Sequence, residues 1–244
     1  MVPFMENAGA KIRLYVDQPL GAGQRVALSR GQAHYLFGVM RLKTGAGVLL
    51  FDGQNGEWHA EVAESGKRGG TLEVHSQTHP HRAPPDLWLL FAPVKKARTD
   101  FIVEKAVEMG VARLIPVQTH YTNAGRVQTD RMRANVIEAA EQCGATHVPE
   151  VAEMTKLSRV LADWPAGRRL MFCDEAADQG ALDGARGAWA VLVGPEGGFS
   201  PDERARLTAL PFANRVSLGP RILRAETAVV AALTLWQSRL GDWQ

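Results

Sequence analysis

The stretch "AVLVGPEGGFSPDE", residues 190–203, decides the fold. Ala190–Val193 is a short, continuous apolar run of the kind buried on both faces of a parallel sheet. Ser200, Pro201 and Glu203 form S-P-x-E, a capping-box spacing with proline at the first helical position, so a helix starts at Pro201. Gly194–Phe199 is then a tight turn from strand to helix, in which Gly197 and Gly198 permit a positive φ or a close ligand. It lacks the GK[ST] of a phosphate-cradling loop and the GxGxxG of a dinucleotide site. With the carboxylate of Glu196 at its centre it favours an uncharged or cationic ligand. A sharp turn that merely needs two glycines is the competing reading of this loop taken alone.

Outward from this turn, strand and helix alternate. "DLWLLFAPV", "ARLIPVQ", "RLMFCDE", "WAVLVG" and "RVSLG" read as strands. "TDFIVEKAVEMG" offers Thr99 or Asp100 as a helix cap and Gly110 as its stop, and residues 129–143 read as another helix. This rhythm predicts an α/β domain with a largely parallel sheet. In such sheets ligands sit outside the carboxyl ends of the strands, so the candidate loops are 172–175, 194–200 and 218–227. The last holds Arg221 and Arg224, either a solvated pair or contacts to RNA or ligand. The final helix, 225–240, is apolar almost all round, which fits a core or, at a chain end, a subunit interface.

Residues 78–86, "THPHRAPPD", carry three prolines and little apolar content, and read as a semi-rigid linker. Before it, segments 12–17, 25–29, 47–53, 57–65 and 70–77 alternate as short strands, with one helix-like piece at 31–41. So many short strands in so few residues predict a small β-barrel. The expected organisation is a barrel domain over 1–77, the linker 78–86, and an α/β domain over 87–244.

Composition constrains function loosely. The 244 residues carry a formal net charge of +2, spread evenly with no basic tail, so a polyanion must be met by a patch assembled in three dimensions. Cys143 and Cys173 are the only cysteines, too few for a disulfide framework and suited to a reducing cytoplasm. No apolar run approaches the roughly 20 residues that span a bilayer. His75, His79 and His81 lie in or beside the linker, and no metal is expected there. Trp58, Trp88 and Trp189 read as core residues.

"LVGPEGGFSPDE" together with "SLGPRILRAETA" resembles the paired signature of the SPOUT-class methyltransferases, and most of all the 16S ribosomal RNA uracil-N3 methyltransferases. "HYLFGVMRLKTG", "KKARTDFIVEKAVEMGVARLIPV" and "EAAEQCGATHVPEV" resemble further segments of that family, so the likeness runs through nearly all the chain. It implies a trefoil-knotted domain behind a PUA-like, RNA-binding barrel, and a homodimer formed in part by the last helix. It implies S-adenosylmethionine, a cation without phosphate, as cofactor, and the small ribosomal subunit as partner. Carried over residue by residue, the cofactor pocket uses Phe172, Asp174, Gly194, Pro195, Glu196, Gly197, Leu218, Gly219, Ile222, Leu223 and Arg224. Arg221, Arg224 and Glu226 are the catalytic candidates, with Glu196 a second candidate proton acceptor. Arg13, Arg41, Lys43, Lys95 and Arg126 are the candidate RNA contacts. Ala145 stands where the family commonly has an arginine; if that arginine holds RNA or a neighbouring loop, another residue substitutes here, with Arg126 the candidate for part of the charge. A ribose 2′-O-methyltransferase of the same class and a non-catalytic RNA-binding assembly factor are the rival readings.

Overall fold

A computed structural model describes residues 10–66, 69–123, 127–177 and 180–243. The chain divides into two compact units, one of residues up to Ala83 with Ala140–Val148, the other of Pro84–Ala139 and the chain from Pro149 onward.

The first unit is built on β1 (Arg13–Tyr15), β2 (Arg25–Ala27), a single turn α1 (Arg30–Ala33), β3 (Gly47–Phe51), β4 (Glu57–Gly66) and β5 (Gly69–His79). Its five strands form one sheet in the order β1-β3-β4-β5-β2, with β1 and β3 parallel and the other pairs antiparallel. Period-two alternation sends Ala60 and Val62 of β4, with Leu72 and Val74 of β5, into a core shared with Leu14, Val26, Leu36, Val48 and Leu50. Full burial of each large aliphatic side chain contributes about 1.5–3 kcal/mol. The helix expected over 31–41 is only partly present. Ser29 and Gln32 cap α1 reciprocally, but the chain then widens over His34–Val39 into a turn in which Met40 N–H bonds the Tyr35 carbonyl at 2.9 Å. The wider turn buries Leu36 completely and leaves Tyr35, Val39 and Met40 exposed. It ends at Arg41, the one described non-glycine residue with positive φ, at 57°.

The second unit contains β6 (Leu87–Phe91), α2 (Lys96–Glu108), β7 (Arg113–Gln118), α3 (Thr129–Cys143), β8 (Glu150–Val151), β9 (Thr155–Lys156), α4 (Leu157–Ala162), β10 (Arg169–Cys173), β11 (Trp189–Val193), α5 (Pro201–Thr208), β12 (Ala213–Val216) and α6 (Ala225–Leu240). The last turn of α3 is counted with the first unit. The main sheet runs β12-β10-β11-β6-β7-β8, with every neighbour parallel. Parallel strands covered on both faces need continuous apolar runs, and Trp189–Val193 is buried at all five positions. The chain lays down β6, β7 and β8 outward in order, then crosses to β10. It returns to place β11 between β10 and β6, and finishes with β12 on the far side of β10.

Two elements start or stop away from their expected places. α2 begins at Lys96, ahead of Thr99, because the Thr99 hydroxyl brackets Val94, donating to its carbonyl at 3.0 Å and accepting its N–H at 3.1 Å. β12 ends at Val216, because its ladder with Leu170–Cys173 of β10 selects Ala213–Val216. α6 packs Val229, Ala232, Leu233 and Trp236 inward, and buried Gln237 donates to the Met109 carbonyl at 2.6 Å, fixing α6 to the end of α2.

Candidate active site

Because β12, β10 and β11 are adjacent and parallel, the segments that follow them leave the sheet at one edge. That edge carries most of the site. Ser200 and Glu203 cap α5 reciprocally with Pro201 at the first position, which fixes the end of the preceding turn. The turn closes through Gly198 N–H to the Pro195 carbonyl at 2.9 Å, with Gly198 at φ +66°. A Cβ on Gly194 would stand 2.9 Å from the Phe199 ring, so this position admits no side chain without displacing that ring. Pro195 is buried, whereas Glu196 and Gly197 are exposed. A Cβ on Gly197 would meet Tyr121 at 3.2 Å, and Glu203 also accepts the His120 N–H at 2.8 Å. The residues after β7 thus flank the turn, a contact that sequence reading did not find.

The loop after β12 is open. Gly219 has φ +105° with nothing near its Cβ position, Leu218 and Leu223 are half-buried, and Ile222 is 84% exposed. Arg224 provides the backbone cap of α6, its carbonyl accepting the Ala228 N–H at 2.8 Å. Arg221 and Arg224 are exposed, and neither is drawn into an ion pair among the described residues. Glu226 lies in the first turn of α6, where a carboxylate is favoured by the helix dipole. Its Oε1 is 3.5 Å from Arg98 Nε, and its buried Oε2 has no hydrogen-bond partner. Arg98 Nη1 also donates to Glu196 Oε1 at 2.8 Å. Glu196 and Glu226, separate in the sequence reading, are therefore joined through an arginine on α2 that was not singled out. In the sequence, "KKARTD" offered Lys95 as an RNA contact and Thr99 or Asp100 as a helix cap, and gave no role to Arg98.

Two pocket candidates change role. Phe172 is fully buried and packs edge-on against Phe199 with ring centroids 5.1 Å apart, so it supports the Gly194 turn from beneath. The Asp174 side chain has 0% exposure. Its oxygens take Arg204 Nε at 3.0 Å, Arg215 Nε at 2.7 Å and Arg215 Nη2 at 2.6 Å, along with the Ala176 N–H at 3.1 Å. Three of these contacts are hydrogen bonds, from Arg204 Nε, Arg215 Nε and the Ala176 N–H, so the Asp174 side chain is engaged by the protein and ties the end of β10 to α5 and β12. Cys173 beside it is buried, and burial pushes its thiol up to about 12.

The RNA-contact candidates also divide. Arg41, Lys43 and Lys95 are exposed, and Arg126 lies outside the described residues. Arg13 is corrected. Its guanidinium donates to Glu57 at 2.5 Å and to the carbonyls of Ala140, Glu141 and Ala145 at 2.6, 3.1 and 3.0 Å. It satisfies the orphan carbonyls at the end of α3 and is committed to the protein. The Ala145 carbonyl it takes belongs to the position where the family commonly has arginine. Trp189 is buried as expected, and Trp88 lies between Arg168 and Arg113, whose guanidinium carbons are 3.6 and 4.9 Å from its ring centre.

The class follows from this arrangement and from comparison with known proteins. The family model of the RNA methyltransferase domain matches residues 81–237, and that of the RNA methyltransferase PUA domain matches 28–74. The Ribosomal RNA small subunit methyltransferase E of Rickettsia conorii is 27% identical over 228 residues, covering 91% of this chain and 93% of that protein. The protein of the same name from Synechocystis is 30% identical, covering 85% of this chain and 71% of its own length. A crystal structure of the Neisseria gonorrhoeae methyltransferase E bound to S-adenosyl methionine superposes with a TM-score of 0.87 at 29% identity, over 96% of this chain and 99% of that one. The chain belongs to the ribosomal RNA small subunit methyltransferase E family.

Proposed function

We propose that this chain transfers a methyl group from S-adenosylmethionine to N3 of a uridine in 16S ribosomal RNA, with the assembled small subunit as substrate. The observation that carries the reading is the convergence of the Glu196 turn and the 217–224 loop at one sheet edge, in a chain of this family. The residues fit the cofactor. They offer backbone at Gly194–Gly197 and Leu218–Gly219, apolar cover from Ile222 and Leu223, and two carboxylates with no phosphate cradle. The solvent-shielded Oε2 of Glu226 has no partner, which is an acceptor position left for a ligand's donor or positive charge. When bound, S-adenosylmethionine supplies an electrophilic methyl group on a sulfonium.

The protein contributes position and electrostatics. Holding the uracil nitrogen in line for attack is worth up to ~7–11 kcal/mol of barrier in the best intramolecular cases. Glu226 accepts the imide proton, and Arg221 or Arg224 stabilises negative charge that develops on the uracil oxygens. N3 lies on the Watson–Crick edge, so the target base is unpaired or turned out of its helix. The first unit, as a PUA-like barrel, binds neighbouring RNA, with Arg41, Lys43 and Lys95 as phosphate contacts whose loss would lower the salt dependence of binding. The insertion of β11 between β6 and β10, followed by return of α6 onto α2, supports a trefoil knot. The half-buried Val230, Ala231, Leu235 and Leu240 of α6 support a homodimer through that helix. The protein acts in the cytoplasm.

The test is transfer of labelled methyl from S-adenosylmethionine to small ribosomal subunits lacking the modification, followed by digestion to nucleosides. Label in 3-methyluridine supports the reading. Label in a 2′-O-methylnucleoside overturns the base position, and no label on competent subunits leaves a non-catalytic RNA-binding factor.

A further inference from the structure

Three segments distant in sequence meet at one guanidinium. Arg98 stands in the first turn of α2, Glu196 in the turn after β11, and Glu226 in the first turn of α6. The geometry is uneven: Arg98 Nη1 reaches Glu196 at 2.8 Å, whereas its Nε stands 3.5 Å from Glu226. Glu226 is the more buried carboxylate, with 16% of its side chain exposed against 47% for Glu196. One cation therefore spans two anions, and the trio keeps a net charge of −1. Remove the cation and two carboxylates at the mouth of the same site repel each other with nothing between them. Repulsion would move the Glu196 turn away from α6. The turn hangs on its capping box and the Pro195–Gly198 bond, and α6 is anchored at its other end by Gln237.

We infer that Arg98 is a positioning residue of the cofactor site, a bridge that holds the Glu196 turn and the Glu226 end of α6 at the separation that binds S-adenosylmethionine. The inference rests on the reading of these loops as the cofactor site. An arginine suits the task because its planar fork presents Nε and Nη1 to different acceptors at once, which a lysine ammonium on a flexible stem does less well. Partly exposed ion pairs contribute little to stability, so the bridge serves geometry more than folding. Organising a loop before its ligand arrives removes an ordering cost from binding.

The experiment measures S-adenosylmethionine binding by titration calorimetry, alongside thermal unfolding, for the wild-type chain, Arg98→Met and Arg98→Lys. Residues in one charge network couple strongly enough that the dissociation constant should rise about tenfold in Arg98→Met. The expected change in unfolding temperature is no more than about 3 °C. Arg98→Lys should recover part of the affinity. Methionine and lysine both fill the volume of the arginine stem, so recovery by lysine reports the charge and not the packing. Unchanged affinity in Arg98→Met, or an Arg98→Lys variant no tighter than Arg98→Met, overturns the inference while wild-type binding stands. Failure of the folded wild-type chain to bind S-adenosylmethionine overturns the cofactor reading and the bridge with it.

Discussion

Replacing Asp174 by asparagine separates an anchor from a ligand contact. The substitution keeps the volume of a side chain that has no exposure, and it removes the charge facing Arg204 and Arg215. Asparagine still offers one acceptor oxygen, but its amide group must turn N–H toward donors on the other side. The bonds at that oxygen position are lost, either the one from Arg215 or those from Arg204 and the Ala176 N–H. Bonds to charged groups contribute about 1.5–3 kcal/mol each, and an uncompensated buried charge costs about 3–5 kcal/mol. Both arginines retain partial contact with water, at 27% and 36% exposure, so they can be resolvated and the cost sits below those sums. A loss of about 2–3 kcal/mol follows, or roughly 5–10 °C in unfolding temperature for a unit of this size. The assay is calorimetric unfolding paired with S-adenosylmethionine titration well below the transition. A variant with a wild-type unfolding temperature and a much weaker cofactor affinity would refute the anchor and restore Asp174 as a ligand contact.

The other predictions concern three further sites. Burial works to raise the pKa of Glu57, but hydrogen bonds from Thr78, Arg13 and His79 outweigh it and hold the group below its ordinary 4.5. A carboxyl whose folded-state pKa is depressed stabilises the fold above its unfolded pKa, and that stability fades as pH falls below about 4.5. Glu57→Gln should flatten the acid limb of stability against pH for the first unit, and an unchanged limb would exclude this group as its source. Gly198→Ala places a side chain at φ +66° against Glu175, at a cost of about 1–3 kcal/mol. Titration should show weaker cofactor binding, and unaltered affinity would show that the turn does not shape the site. Cys173, its thiol pushed up to about 12, should resist alkylation at pH 8 until the protein unfolds. Labelling of native protein at the rate of a free thiol, read by mass spectrometry, would contradict its burial.

Features written in local spacing were legible before the structure. The start of α5 was readable because Ser200 and Glu203 bond each other's backbone within one turn. The span of α6 and the parallel strands followed from apolar pattern, and the motif pair placed the chain in its family. What stayed hidden depends on partners far along the chain. Arg13 looked like a surface cation, yet Glu57 lies 44 residues away and its carbonyl acceptors 127 to 132 away. Asp174 is held by arginines 30 and 41 residues downstream, and Arg98 finds Glu196 at a separation of 98. No periodicity encodes such meetings, since they exist only once the sheet order has brought the segments together. The widened turn at His34–Val39 was missed for another reason: Ala33, Leu36, Phe37 and Met40 fit a helical period, and the tertiary core claims only part of that face.

The slot filled by β11 has a consequence for how the molecule is made. A chain emerging from its N-terminus completes β6, β7 and β10 well before residues 189–193 appear. Until then the edges of β6 and β10 that will receive β11 have no partner, and each exposes a row of unpaired amide and carbonyl groups. Synthesis at ~5–20 residues per second keeps those edges open for seconds. Any fragment ending near residue 185 keeps them open permanently. Such a fragment should self-associate through strand pairing, so the last quarter of the sequence closes the sheet as well as supplying the site.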